Sequence, residues 1–289
     1  MLLEKKLEIV GEEAFNAHPE IPSLAEVVAK ECGGLPLALV TIGRAMACKR
    51  TPQEWNYAIQ MLKNSASEFS GMGDEVLPLL KFSYDNLASE KIRSCFLYCA
   101  LFPEDASIQR DNLIHLWMGE GFLDEYADIS GAIDQGYDII GSLLYACLLE
   151  EYGILHLKMH DVIRDMALWI VCGCGTTTNN GFLVQTNAQL SELPSVEKWN
   201  EFYMISLMRN HIESLSETPM CPNLLTLFLT RNRLCQIPDN FFEFMPKLRV
   251  LDLSQNFSLT HFPVGVSKLA TLEHLDLSQS EVKELPREL

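Results

Sequence analysis

From about residue 202 onward the apolar positions leave the helical period and settle into a repeat. Leu224-x-x-Leu227-x-Leu229-x-x-Asn232-x-Leu234-x-x-Ile237-Pro238 returns as Leu248, Leu251, Leu253, Asn256, Leu259, Phe262 and Pro263, with one extra residue between Asn256 and Leu259. It returns again as Leu272, Leu275, Leu277, Ser280, Val282, Leu285 and Pro286, each start 24 residues after the last. A looser copy fits Phe202, Ile205, Leu207, Asn210, Ile212 and Leu215. This spacing sends alternate residues of a short strand to one side, so neighbouring copies can pair in one parallel sheet and pool their leucines. The asparagine is placed to bond backbone groups where the chain turns away, and Ser280 predicts a weaker turn in the last copy. Residues between the strand leucines face the other, concave side: Met204, Ser206 and Met208; Thr226, Phe228 and Thr230; Val250, Asp252 and Ser254; His274, Asp276 and Ser278. Asp252 and Asp276 share a register at about 4.8 Å strand spacing, which predicts either attraction of a cationic partner or a solvated acidic face. The last copy breaks off after 18 residues, read as a truncation that leaves the array incomplete.

Upstream the period is helical. Ser23-Leu24-Ala25-Glu26 has the form of a capping box, and the helix it opens should stop at Gly33-Gly34. Pro36 suits the first turn of the next, buried helix over 37–48. Gly71-Met72-Gly73 marks a boundary. Four helical patterns follow near 75–87, 89–101, 110–119 and 131–148; proline at Pro103 ends the second. After Leu149 the period changes: 150–153 reads as a hairpin turn and 154–159 as extended, before a last helix with Asp161 as its N-cap. Helices closed by a small hairpin outline a winged helix. The small, polar run CGCGTTTNNG predicts a linker. The reading is therefore an α/β multidomain chain: a helical domain over 1–73, a winged-helix domain over 74–171, a linker over 172–194 and a repeat solenoid over 195–289.

Composition narrows the chemistry. Hydrophobic residues make up 48% of 289, enough for buried cores. The net charge is −17, and residues 67–170 hold 18 acids against 6 bases, so the middle module is the acidic one and would repel nucleic acid. Nine cysteines, mostly inside apolar patterns, fit reduced thiols in the cytoplasm; Cys95 and Cys99 share one helix face as core thiols, and Trp117 reads as core. Cys172-Gly173-Cys174 lacks a second pair at zinc spacing, so no metal site is assigned. No apolar run is long enough to span a membrane, and the first residues carry no signal-peptide pattern.

Three motifs, in order, resemble the plant nucleotide-binding leucine-rich-repeat disease resistance proteins. Gly33-Gly34-Leu35-Pro36-Leu37-Ala38-Leu39 is similar to the GLPL motif of their helical regulatory domain. Cys95-Phe96-Leu97-Tyr98-Cys99-Ala100-Leu101-Phe102-Pro103-Glu104-Asp105, followed by Leu116-Trp117-Met118-Gly119-Glu120-Gly121-Phe122-Leu123, resembles their winged-helix signature in the coiled-coil class. Met159-His160-Asp161 matches the MHD motif. The resemblance implies a plant immune receptor fragment, a switch set by ADP or ATP. Pro36 would pack on the adenine and His160 would contact the β-phosphate, beside a helix N-terminus that favours anions. Left to themselves, Pro36 is a helix-start residue and His160 an ordinary residue before a cap. No GxxxxGK[ST] phosphate loop occurs, so weak or absent nucleotide binding is expected here, and no catalysis. The partners implied are a nucleotide-binding domain, in the same chain or another, and a pathogen effector or guarded host protein met by the repeats. The alternatives are a winged-helix DNA-binding regulator, which the acidic module opposes, or a non-switching adaptor or decoy.

Overall fold

The computed structural model describes residues 12–31, 42–43, 46–47, 49–64, 72–123, 128–174, 181–215 and 217–284. The GLPL segment, Pro36 included, lies outside them, as does most of the helix expected over 37–48. Two helices come first, α1 (Ile21–Glu31) and α2 (Pro52–Asn64), packed on each other. The expected capping box at Ser23 is not one. The helix has already begun at Ile21, which is fully buried, and the Ser23 hydroxyl donates back to the Glu20 carbonyl at 2.7 Å. The box lies instead at Thr51-Pro52-Gln53-Glu54. Glu54 Oε2 accepts from the Thr51 and Arg50 amides at 2.9 and 3.0 Å, and the Glu54 amide reaches back to Thr51 Oγ1.

The Gly71–Gly73 boundary also differs: a π turn over Met72–Val76 runs straight into α3 (Leu77–Asp85). Next come α4 (Glu90–Cys99), capped by Ser89 accepting from the Ile92 amide, β1 (Ile108–Gln109), α5 (Arg110–Glu120) and α6 (Ile129–Tyr145). The hairpin is β2 (Glu150–Tyr152) and β3 (His156–Lys158), so the segment read as its turn is its first strand, and the turn is Gly153–Leu155. β1 adds to it in the order β1-β3-β2, a three-stranded wing. The last helix, α7 (Asp161–Val171), packs on α3 and α4. Cys95, Cys99 and Trp117 are buried, as expected.

The second sheet is parallel, in the order β4-β5-β6-β7-β8: Phe182–Val184, Met204–Ser206, Thr226–Phe228, Val250–Asp252 and His274–Asp276. The 24-residue period puts Ile205, Leu227, Leu251 and Leu275 in one register. Residues 181–184 belong to this sheet rather than to a linker, since Leu183 pairs with Ile205. The asparagines do the work expected of them: Asn232 donates to the carbonyls of Leu207 and Leu229, both at 2.9 Å, and accepts from the Ile212 amide. Asn256 repeats this with Leu229, Leu253 and Leu234. Ser280 is too short to span repeats and donates only to Leu277 in its own.

The leucines of the repeats form one apolar cluster. Met204, Met208, Phe228 and Val250, on the concave side, join a different cluster, that of the helices and winged helix. The winged helix therefore sits on the concave face of the repeats.

Candidate functional site

His160 stands where β3 gives way to α7. It is itself the N-cap, with φ −63° and ψ 139°, and its Nδ1 accepts from the Val162 amide at 3.2 Å. Asp161, expected to be the cap, is the first helical residue instead. An imidazole nitrogen can replace a capping carboxylate, and an acid in the first turn still meets the positive end of the helix. A ring nitrogen that accepts a backbone proton carries none, so the neutral ring keeps its proton on Nε2. That N–H is the donor His160 can offer an anion.

The surroundings are more acidic than the helix terminus alone implied. Arg164, one turn on and buried, donates through Nε to the Phe102 carbonyl at 2.8 Å and through Nη2 to Thr186 Oγ1 at 3.3 Å. Its Nη1 lies 3.6 Å from Glu104 Oε1. Burial and the neighbouring acids push Glu104 up. Asp165 keeps part of its surface in solvent, yet burial beside Glu104 and Asp161 pushes its carboxyl up to about 7. The one nearby cation is already committed, so an incoming phosphate would have to draw most of its donors from elsewhere. Pro36 lies outside the described residues, and the structure does not bring it to His160.

A second constellation escaped the sequence reading. Phe228, at the centre of the concave face, meets Tyr98 edge-on at 5.8 Å and Phe102 at 5.8 Å, while Tyr98 also meets Phe122 edge-on. The Tyr98 hydroxyl is 3.3 Å from Thr226 Oγ1, and that hydroxyl donates to Oε1 of Glu120, the last residue of α5. Glu120 is 5% exposed, and its Oε2 has no hydrogen-bond partner. Burial, only partly offset by the Thr226 bond and Arg249, pushes its carboxyl up to about 7. Arg249 Nε donates to the Gly119 carbonyl at 3.0 Å, closing the contact at its edge.

The Asp252–Asp276 register exists, but it does not face a partner or open solvent in the way expected. Asp252 is 4% exposed under the winged helix, and each carboxylate accepts the backbone amide two residues on, from Ser254 and Ser278. The pair closes the strand ends. One signal could have revealed the covered face: Met204, Met208, Phe228 and Val250 alternate with the core leucines, so both faces of these strands are apolar.

A winged helix seated on the concave sheet of a leucine-rich-repeat array, with a histidine-capped helix between them in sequence, defines a multidomain signalling protein. Comparison with known proteins narrows the class. The family described as Disease resistance protein Winged helix domain matches residues 101–167, and Leucine rich repeat matches 222–282. Among curated relatives from Arabidopsis thaliana, the disease resistance protein SUMM2 is 50% identical over 280 residues and the disease resistance protein RPS5 is 49% identical over 279. Each alignment takes in 96% of this chain and 31% of the relative. The disease resistance protein RFL1 is 47% identical over all of this chain and 32% of its own length. The chain thus carries the winged-helix and repeat modules of plant disease resistance proteins, and it spans about a third of the length of the relatives it matches.

Proposed function

We propose that this chain is the switch and recognition part of a plant innate immune receptor, acting without catalysis. Its helical and winged-helix modules would report the ADP or ATP state of a nucleotide-binding domain, and its repeats would meet a pathogen effector or a guarded host protein. The observation that carries this reading is the seating of the winged helix on the concave face, which links the surface used by repeat proteins for partners to the module that bears His160. The residues fit ADP in part. His160 would offer its Nε2 proton to the β-phosphate at the N-terminus of α7, and Pro36 would lie against the adenine. Bound ADP would supply only an anionic anchor, holding the winged helix in the resting arrangement. Loss of the His160 contact would shift a two-state equilibrium toward release. With Glu104, Asp161 and Asp165 nearby and Arg164 committed, this chain alone should hold nucleotide weakly.

Calorimetric titration of ADP into the 289-residue chain tests the reading. No resolvable heat is expected, and a micromolar constant would refute the idea of half a site. Joined to the nucleotide-binding portion of one of its relatives, the chain should bind ADP, and His160→Ala should weaken that binding at least tenfold. Equal affinity of the two forms would remove His160 from the site.

A further inference from the structure

A groove of about 820 Å³ opens on the winged helix where the end of α3, the start of α4 and the outer face of α6 meet. Its walls are apolar and exposed: Phe82 is 71% and Tyr145 94% accessible, with Leu87, Ile92 and Tyr137 between them. The Tyr137 ring is held in place, since its hydroxyl donates to Asp111 Oδ1 at 2.7 Å. Soluble surfaces rarely leave aromatic rings grouped in this way without a partner. The groove lies on the winged helix's outer helices and is separate from the contact with the repeats.

Gly141 forms its floor, one turn from each of Tyr137 and Tyr145 along α6. Glycine inside a helix weakens it relative to alanine and usually answers a close approach. For Gly136 the approach is internal, because a Cβ there would meet Ile114 at 2.7 Å. At Gly141 a Cβ would meet nothing within 4 Å. Nothing inside the protein accounts for this glycine, whereas an outside backbone laid across α6 would.

The rim sets the chemistry of the occupant. On the α3–α4 side Lys81 pairs with Asp85, and Arg93 pairs with Glu90 while donating to the carbonyls of Asp85 and Leu87. On the α6 side Asp134 and Asp138 are exposed and enter no ion pair among the described residues. No sheet edge borders the groove, so an added strand has nothing to pair with. A helix reading the groove by side chains fits. A second copy of this chain does not: its net charge is −17, and none of its labelled helices has more than two basic residues. We propose that this groove is the docking site for a basic amphipathic helix of a partner protein, with apolar anchors between Phe82 and Tyr145, its backbone over Gly141 and its cations toward Asp134 and Asp138. This inference stands apart from the nucleotide reading.

The test uses the full chain and a dye-labelled leucine–lysine amphipathic peptide of about 18 residues, with a leucine–glutamate analogue as charge control, followed by fluorescence anisotropy. Saturable binding of the lysine peptide and none of the analogue is expected. Gly141→Ala should bind as the unaltered chain does. Gly141→Arg, which improves helix propensity while placing bulk and positive charge on the floor, should lose at least tenfold in affinity with its melting temperature retained, and Asp138→Lys should lose affinity as well. Equal binding by Gly141→Arg and Gly141→Ala, or by the two peptides, would overturn the proposal. So would a lysine peptide that does not saturate.

Discussion

Replacing Glu120 by glutamine isolates one ionisable group in the contact between the winged helix and the repeats. Folding takes its carboxyl from an ordinary value of 4.5 to about 7, with burial as the main cause. A carboxyl raised in the folded state binds protons there more tightly than in the unfolded chain. Its contribution is fully present below pH 4.5 and is lost as pH rises through 7. At 1.36 kcal/mol per unit, the whole span is about 3 kcal/mol, of which about 2 kcal/mol falls between pH 5.5 and pH 8. Glutamine keeps an acceptor for Thr226 but cannot ionise. Its amide would occupy the place of the unpartnered Oε2, at a pH-independent cost of about 1–3 kcal/mol. Other raised acids, Asp252 and Asp165 among them, tilt the pH profile of both forms alike, so the informative quantity is the difference between the two. Urea unfolding across pH 5.5 to 8 should show Glu120→Gln gaining on the unaltered chain by about 2 kcal/mol as pH rises. Parallel profiles would mean that Glu120 stays ionised throughout, through water or a rearranged Arg249, and the burial argument would fail.

Asn232→Ala removes three hydrogen bonds and leaves the carbonyls of Leu207 and Leu229 and the amide of Ile212 unpaired in the interior, an expected loss of about 3 kcal/mol in urea unfolding. Asn232→Ser, which reproduces the arrangement at Ser280, should cost less than alanine, and equal losses would mean that the ladder is not the source. Gly119→Ala would place a Cβ 2.9 Å from the Cβ of His274 and 3.0 Å from Val250 Cγ2, atoms close to their own backbones. Overpacking of about 1–3 kcal/mol should outweigh the helix-propensity gain, read as faster hydrogen exchange at the end of α5 and in β8; unchanged exchange would show that the sheet can give way.

The repeats were legible because their signal is long and periodic: four copies at one spacing constrain every strand. The strand before them was not. At 181–184 only Leu183 holds a core register, and the position matching Asn210 is Ala188, so the motif lacks its turn residue. The wing strand Glu150–Tyr152 is polar and exposed along its length and shows no alternation to read. Local chemistry also misled where two residues could do one job. Ser23 and Thr51 both begin a box-like pattern, and only tertiary packing of Ile21 decides that the first is already inside a helix. At the candidate site the motif pointed to the right helix start, while the cap passed from Asp161 to His160 because imidazole Nδ1 reaches the Val162 amide. The cover on the concave face depends on contacts more than a hundred residues apart, such as Glu120 to Thr226, which no local window contains.

The same geometry limits what the proposed switch can transmit. α7 begins at His160, and its Arg164 holds both the Phe102 carbonyl and Thr186 just beyond β4; α5 ends at Glu120 on β6. Phe102 in turn packs on Phe228. A ligand that claims the concave face must therefore separate Phe228 from Tyr98 and Phe102, and it strains the element that positions His160. Coupling of this kind is reciprocal: whatever the ligand takes from nucleotide affinity, the nucleotide takes from ligand affinity. It is also bounded, because a ligand shifts the equilibrium only by its differential affinity for the two arrangements, and going from one part in a hundred to ninety-nine requires about 5.5 kcal/mol. The Glu120 contact lies within that scale. Because its carboxyl rests near neutrality, ionisation weakens the contact without breaking it, and the balance between the two arrangements is set by a proton as well as by the competing ligand.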